Sequence, residues 1–141
     1  MTEAVGSKSA AKEGAHSVVQ QDVSSESVSA FHHVFGGTNS IHTDPEAARR
    51  SQIDGVVQHG VKTLYPLIAV LLNQCPPESN PSVRVDAKFL AAVTGGETVS
   101  SSLKVLSSLI ENNERVIRFE VAITNQEEKK AVVGTATITT R

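Results

Sequence analysis

Two short segments of this chain hold the residue types that proton transfer next to a carbonyl group requires. Residues 39–44 read N-S-I-H-T-D, which places Asn39 three positions before His42, and residues 58–60 read Q-H-G. Imidazole titrates near neutral pH, so His42 can both remove and return a proton, and it is the candidate acid/base. The amide of Asn39 can orient a water molecule or a substrate oxygen, or it can brace the loop; both roles stay open.

A helix that begins near Gly60 would add the second part of such a site. The residues after Gly60 recur with the period of a helix, and backbone N–H groups at a helix start carry partial positive charge. Gly60 can therefore donate to an oxygen on which negative charge develops, or it can simply allow close packing. His59 could contact a substrate or could cap the helix, and the sequence favours the structural role.

Other chemistries find little support in the sequence. His32 and His33 are neighbours, but adjacent residues on a helix point about 100° apart, so these two do not chelate one metal ion together. Cys75 precedes two prolines, and nothing marks it as a nucleophile. The chain shows no nucleotide-binding or serine-hydrolase motif, and we expect neither a metal nor a cofactor.

The composition narrows the class of protein. The chain has 141 residues, of which 39% are hydrophobic, and this suits one domain with a real core. Its 13 basic and 15 acidic residues give a net charge of −2, which offers no electrostatic reason to expect a nucleic acid or a membrane as partner. The single cysteine fits a reducing compartment, and no apolar signal or membrane-spanning segment is visible. We therefore expect a cytoplasmic protein.

Hydrophobic periodicity predicts helices first and strands afterwards. Residues 1–16 lack this periodicity and predict a disordered tail, whereas residues 17–141 predict a single domain. After an extended entry, the spacing predicts a helix that ends at Gly36, a short helix capped by Asp44, and a main helix within residues 55–74. The main helix is apolar on nearly all sides, so either the sheet or a second subunit must cover it. The predicted strands span residues 83–92, 98–110, 115–125 and 131–140. This order predicts an α+β domain with the long helix against an antiparallel sheet.

Four segments resemble the MaoC-like branch of the hot-dog superfamily, the (R)-specific enoyl-CoA hydratases and 3-hydroxyacyl dehydratases. Residues 36–44, G-G-T-N-S-I-H-T-D, are similar to the hydratase motif G-D-x-N-P-x-H-x-D. Residues 55–61, G-V-V-Q-H-G-V, are similar to the I-A-H-G-M segment that opens the central helix. Residues 87–98 and 125–136 are similar to the R-F-L-x-P-V-x-P-G-D-T segment and to the closing hairpin N-Q-x-G-x-x-V-x-x-G-x-A. The resemblance covers about residues 18–140 and implies a hot-dog fold, in which a curled antiparallel sheet wraps the long helix.

The resemblance also implies an activity. The chain would be a lyase, a hydratase or dehydratase of an acyl thioester carried by coenzyme A or by an acyl carrier protein, and it would work as a homodimer. It implies that His42 is the acid/base and that the N–H of Gly60 donates to the thioester oxyanion. The other residues expected in the site are Asn39, His59, Gly37 and Val57.

Two residues depart from the family motif. The motif aspartate falls on Gly37 and the motif proline falls on Ser40. A single base can serve both proton transfers if elimination is syn, and Asp54 or a residue of a partner subunit could replace the missing carboxylate. Because Gly37 lacks a carboxylate, a second interpretation stays open, in which the protein is not an enzyme and binds an acyl thioester or a protein partner. Thioesterase action is a third, less favoured alternative.

Overall fold

The structure, a computed structural model, describes residues 11–141. The first half of the chain forms strand β1 (His16–Asp22), helix α1 (Ser25–Phe35), a turn of 3-10 helix (Ser40–His42), helix α2 (Pro45–Arg50) and helix α3 (Gly60–Asn73). The second half forms strands β2 (Ser82–Phe89), β3 (Thr98–Glu111), β4 (Glu114–Asn125) and β5 (Lys130–Thr140). No helix within residues 11–141 combines the length and the apolar character that crossing a membrane requires.

The five strands form one antiparallel sheet in the order β1-β3-β4-β5-β2. Side chains alternate between its two faces, as strand geometry requires. On β4, for example, Ile117, Phe119 and Val121 are buried, while Arg118 and Glu120 between them are exposed. The predicted α+β arrangement, helices followed by an antiparallel sheet, is therefore present, and strands β1 and β2 form its two edges.

Helix α3 packs against the sheet through one face only. Thr63, Leu67 and Leu71, spaced four residues apart, are buried on that face. Val61 and Tyr65 are 59% and 69% exposed, so the expectation of a helix buried on all sides is wrong for the single chain. The sequence had offered two ways to cover this apolar surface, and the sheet of the same chain does not cover it.

The helices and the sheet enclose two hydrophobic clusters. One cluster lies where α3 meets the sheet and includes Leu67 and Phe119. The other lies where α1 meets the sheet and includes Val28 and Ile123. Each of these side chains is at most 1% exposed, and burying such a side chain contributes about 1.5–3 kcal/mol. The two clusters anchor α1 and α3 to the sheet, and the start of α3 lines the candidate site.

The predicted tail, residues 1–16, is only partly described. Residues 1–10 lie outside the described residues, so disorder there stays a prediction. Gly14 donates its N–H to the carbonyl oxygen of Val105 at 2.8 Å, and Ala11 packs against the cluster beneath α3. Within residues 11–16, the last part of the predicted tail, Ala11 and Gly14 therefore contact the domain, and the domain boundary stays a prediction.

Candidate active site

His42 is held in place by hydrogen bonds to its turn and to the segment before α3. The 3-10 turn that carries it, Ser40–His42, is capped by Asn39, whose Oδ1 accepts the N–H of Ile41 at 3.2 Å. The carbonyl oxygen of Ile41 accepts the N–H of Val57 at 2.9 Å. The Nδ1 of His42 in turn donates to the carbonyl oxygen of Val57 at 2.7 Å. Both the turn and the imidazole ring are therefore tied to the same buried residue.

The bond to Val57 fixes where the neutral imidazole of His42 carries its hydrogen. A carbonyl oxygen can only accept, so Nδ1 carries the hydrogen and Nε2 keeps its lone pair. Within residues 11–141, no hydrogen bond occupies Nε2 of His42. The ring also lines a cavity, so a ligand can reach it. His42 therefore has the tautomer and the exposure that a general base requires.

The cavity beside His42 has a volume of about 430 Å³, within the range of sites for small molecules. Residues 89–93, the last residue of β2 and the four that follow it, form a mainly apolar wall. The other lining residues are His42, Val57, Gln58, Gly60 and Thr63. The cavity thus combines a long apolar wall with a few polar groups near the start of α3, which is the lining that an acyl group with one reactive end would need.

Helix α3 begins at Gly60 without a side-chain cap. The side chains of Ser24, Asn39 and Asp44 cap the starts of the other helical elements. The first N–H groups of α3 are therefore left for a ligand in the cavity that Gly60 lines. A Cβ atom on Gly60 would stand 3.0 Å from Cε1 and Cζ of Phe89, so the ring of Phe89 occupies the space of a side chain there.

His59 lies between two other imidazole rings. It stacks on His42 with 3.7 Å between ring centroids, and its Nε2 lies 2.9 Å from Nδ1 of His32. Burial, together with the charges of His42 and His32, lowers the pKa of His59 from its ordinary value of 6.5. Two imidazolium rings at this separation would repel by about 1 kcal/mol in water and by about 4 kcal/mol at an effective dielectric constant of 20. The site therefore favours the neutral form of His59.

Gly37, which the sequence resemblance aligns with the motif aspartate, adjoins the His32–His59 pair. Its φ of +118° is a conformation that residues with a side chain rarely adopt. A Cβ atom built there would lie 3.8 Å from Cε1 of His32 and 4.0 Å from Cε1 of His59. Asp54, the alternative carboxylate, is exposed and does not line the cavity.

Most of the residues expected in the site lie together. His42, Val57 and Gly60 line the cavity, and His59 stacks on His42. Asn39 is exposed and does not line the cavity, and its side-chain oxygen caps the turn that carries His42. The structure therefore accounts for the bracing role of Asn39, one of the two roles that the sequence left open.

Two residues of the site were not expected from the sequence, His32 and Gln58. His32 follows the buried Val28 by four residues, so both lie on the same side of α1. This spacing, visible in the sequence, could have predicted that His32 faces the interior. Gln58 follows Val56 and Val57, precedes His59, and is 3% exposed in the structure. A polar residue next to another polar residue gives little sign of burial, because many such residues lie at the surface.

The structure offers no arrangement for metal or thiol chemistry in the part of the chain that it describes. Between residues 11 and 141, no group of three or more His, Cys, Asp or Glu side chains could hold a metal ion. The rings of His42 and His59 are stacked, so their nitrogens do not converge on one point. Burial raises the pKa of the Cys75 thiol, which disfavours the nucleophilic thiolate.

Comparison with known proteins identifies the family and the fold. The family model described as "MaoC like domain" matches residues 7–133. No curated protein sequence matches the chain significantly. Among solved structures, the (R)-hydratase from A. caviae involved in PHA biosynthesis is 22% identical, with a TM-score of 0.74 over 90% of this chain and 95% of that chain.

Two further structures are similar over most of both chains. The R-hydratase PhaJ1 from Pseudomonas aeruginosa is 24% identical, with a TM-score of 0.71 over 90% of this chain and 80% of that chain. The MaoC-like dehydratase from Rhodospirillum rubrum is 18% identical, with a TM-score of 0.75 over 92% of each chain. These similarities confirm the predicted α+β hot-dog fold. Because the family model matches most of its length, this chain belongs to the MaoC-like domain family.

Proposed function

We propose that this protein is a hydratase or dehydratase of an acyl thioester, which adds water to, or removes it from, the double bond next to the thioester carbonyl. The observation that carries the proposal is the bond from Nδ1 of His42 to the carbonyl oxygen of Val57. It leaves Nε2 of His42 as a base beside a cavity that also receives the uncapped start of α3 at Gly60. Membership of the MaoC-like family and similarity to R-hydratases support this class of reaction.

In the direction of hydration, Nε2 of His42 takes a proton from a water molecule as the water oxygen attacks the β-carbon. The electrons of the double bond move toward the thioester oxygen. There the N–H of Gly60 and the positive end of α3 stabilise the enolate. The imidazolium of His42 then returns the proton to the α-carbon, which restores the neutral base. One base serves both transfers if they occur on the same face of the substrate.

The other expected residues have supporting roles in this proposal. Asn39 braces the turn of His42, Val57 fixes its tautomer, and His59 packs against its ring. Gly37 supplies no carboxylate at the position that the resemblance aligns with the motif aspartate. Losing one general acid or base typically costs about 10²–10⁴-fold in rate. We therefore expect slow turnover of simple enoyl thioesters and faster turnover of a more activated substrate.

Gly37 also favours a second candidate function, a protein that binds an acyl thioester without turnover. In this candidate, the cavity and the start of α3 hold the thioester, and His42 is a structural residue. Thioesterase action has less support, because no carboxylate of residues 11–141 lines the cavity to activate a water molecule against the carbonyl carbon.

One incubation separates these candidates. The protein is mixed with trans-2-butenoyl-CoA, and the absorbance of the conjugated thioester, the mass of the product and the free thiol are followed. Hydratase action predicts loss of absorbance with a product heavier by one water molecule and no thiol. Binding without any loss of absorbance would favour the second candidate, and release of thiol would favour thioesterase action.

We also infer that the protein acts as a homodimer through the exposed apolar surface of α1 and α3. On these helices, Phe35, Val61 and Tyr65 are each more than half exposed. Val61 and Tyr65 lie one turn apart on α3, and exposed apolar side chains grouped in this way mark an interaction site. In sedimentation velocity we expect Val61→Glu to shift the protein toward monomer. Val18→Glu is the matched control, because Val18 is also 59% exposed but lies on the edge strand β1. A monomeric wild-type protein would contradict the inference.

A further inference from the structure

The wall of the cavity holds two polar side chains that the proposed reaction does not use, those of Gln58 and Thr63, and the carboxamide of Gln58 is only partly hydrogen-bonded. This side chain lines the cavity and is 3% exposed. Its Nε2 donates to Oγ1 of Thr63 at 2.9 Å. Its Oε1 is shielded from water and has no hydrogen-bond partner in the part of the chain that the structure describes. Unpaired buried acceptors are rare because they are costly, so this one calls for a partner from outside the chain.

The neighbours of Gln58 determine which end of its amide is unpaired. Thr63 has a single hydroxyl hydrogen, which it donates to the carbonyl oxygen of His59 at 3.3 Å. Toward Gln58 the hydroxyl can therefore only accept, so it faces the amide nitrogen. The main chain of Gln58 is also fixed, since its N–H donates to the carbonyl oxygen of Val93 at 2.7 Å. The free group is thus the oxygen Oε1, a hydrogen-bond acceptor held in place from two sides.

The position of Gln58 and Thr63 indicates which part of a ligand would meet this acceptor. Gly60, at the start of α3, marks the expected place of the thioester oxygen. Thr63 lies one turn further along α3 and points, with Leu67 and Leu71, to the buried side. Gln58 and Thr63 line the same cavity as the apolar residues 89–93, so an acyl chain that runs along this wall would pass the pair.

We propose that the cavity is selective for acyl thioesters whose acyl chain carries a hydrogen-bond donor, such as a hydroxyl group, and that Oε1 of Gln58 accepts it. The inference rests on the proposed function for the thioester itself and adds the class of acyl group. A chain with a donor at this depth pairs the buried oxygen, whereas a plain alkyl chain leaves it unpaired.

The test compares acyl chains of equal length with and without a hydroxyl group. Turnover is measured with trans-2-hexenoyl-CoA and with its 5-hydroxy and 6-hydroxy derivatives. Equilibrium binding is measured separately with hexanoyl-CoA and the corresponding hydroxyhexanoyl-CoA compounds, which cannot react. We expect the wild-type protein to prefer one of the hydroxylated compounds by about tenfold, the size of one good hydrogen bond.

Gln58→Met keeps the volume of the side chain and removes the acceptor, so it should abolish or reverse this preference. Its unfolding transition, followed by circular dichroism, should be no less cooperative than that of the wild-type protein. Gln74→Met is the matched control at the far end of α3, outside the cavity lining, and should keep the preference.

The two measurements separate this inference from the proposed function. Preferential binding of a hydroxylated compound without turnover would support the selectivity and count against the hydratase. Turnover of trans-2-hexenoyl-CoA as fast as that of both hydroxylated compounds would overturn the selectivity and leave the hydratase standing. Equal preference in the wild-type and Gln58→Met proteins, or no binding of any of these compounds, would also overturn it.

Discussion

The substitution Gly37→Asp, which places the aspartate of the similar family motif at position 37, tests whether the loop around Gly37 can accept a side chain without changing its conformation. The φ of Gly37, +118°, lies well outside the small left-handed region near +50 to +70° that residues with a side chain can enter. Gly37→Asp must therefore strain the backbone or move the loop. Strain of this kind costs on the order of 1–3 kcal/mol, a substantial part of a total stability of roughly 5–15 kcal/mol.

The charge of the new carboxylate acts in the opposite direction. The Cβ position lies 3.8 Å from Cε1 of His32 and 4.0 Å from Cε1 of His59, so the carboxylate can pair with either ring when that ring is protonated. An ion pair at a partly exposed site contributes roughly 0.2–1 kcal/mol, which is less than the strain. We therefore expect Gly37→Asp to lower the free energy of unfolding by about 1–2 kcal/mol at pH 7 and by less at pH 6.

The assay is urea unfolding at pH 6, 7 and 8, with Gly37→Ala as the control that has the strain without the charge. Both variants should be destabilised, and only Gly37→Asp should recover stability at pH 6. We expect no gain in hydratase rate from Gly37→Asp, because the carboxylate faces the His32–His59 pair. Wild-type stability in both variants would refute the strain argument. A rate gain of about tenfold or more would show that the carboxylate reaches the reacting atoms.

Three further predictions concern other parts of the site. Gly60→Ala should displace the ring of Phe89 and misplace the thioester oxygen, lowering kcat/KM by about tenfold to 10²-fold, and adding Phe89→Ala should recover part of the loss; an unchanged kcat/KM would contradict this. The lowered pKa of His59 means that the unfolded chain binds its proton first as the pH falls. The free energy of unfolding should therefore decrease below pH 6.5, and His59→Phe should flatten this decrease in urea titrations; an identical pH dependence would contradict it. Asn39→Ala should cost about 0.5–2 kcal/mol by removing the cap of the 3-10 turn, whereas Asn39→Asp should keep both stability and kcat. Loss of kcat in Asn39→Asp at full stability would favour the role of orienting a water molecule.

Features that depend on neighbouring residues in the chain could be predicted from the sequence. The caps at Ser24 and Asp44 follow from short side chains that accept an N–H two or three residues later. The alternation of β4 follows from the pleat, which turns Ile117 and Arg118 to opposite faces. His42 and Gly60 could be expected in one site only through the family resemblance, since periodicity alone does not bring their segments together.

Features that depend on tertiary contacts could not be predicted. The tautomer of His42 is set by a main-chain oxygen fifteen residues away, at Val57, and any residue type supplies such an oxygen. The contact between His32 and His59 spans 27 residues and requires the exact packing of α1 against the start of α3. The exposure of Val61 and Tyr65 on α3 could not be predicted, because the sequence of an apolar helix face does not tell whether the same chain or another molecule covers it.

The most direct test of the central claim is the ratio of kcat/KM for His42→Ala to that of the wild-type protein, measured by the loss of enoyl thioester absorbance. The control is His33→Ala, which removes an exposed imidazole nearby on α1. If Nε2 of His42 is the base, His42→Ala lowers kcat/KM by about 10²–10⁴-fold while the fold is retained, and His33→Ala leaves it unchanged. Full activity in a folded His42→Ala protein would contradict the proposed mechanism.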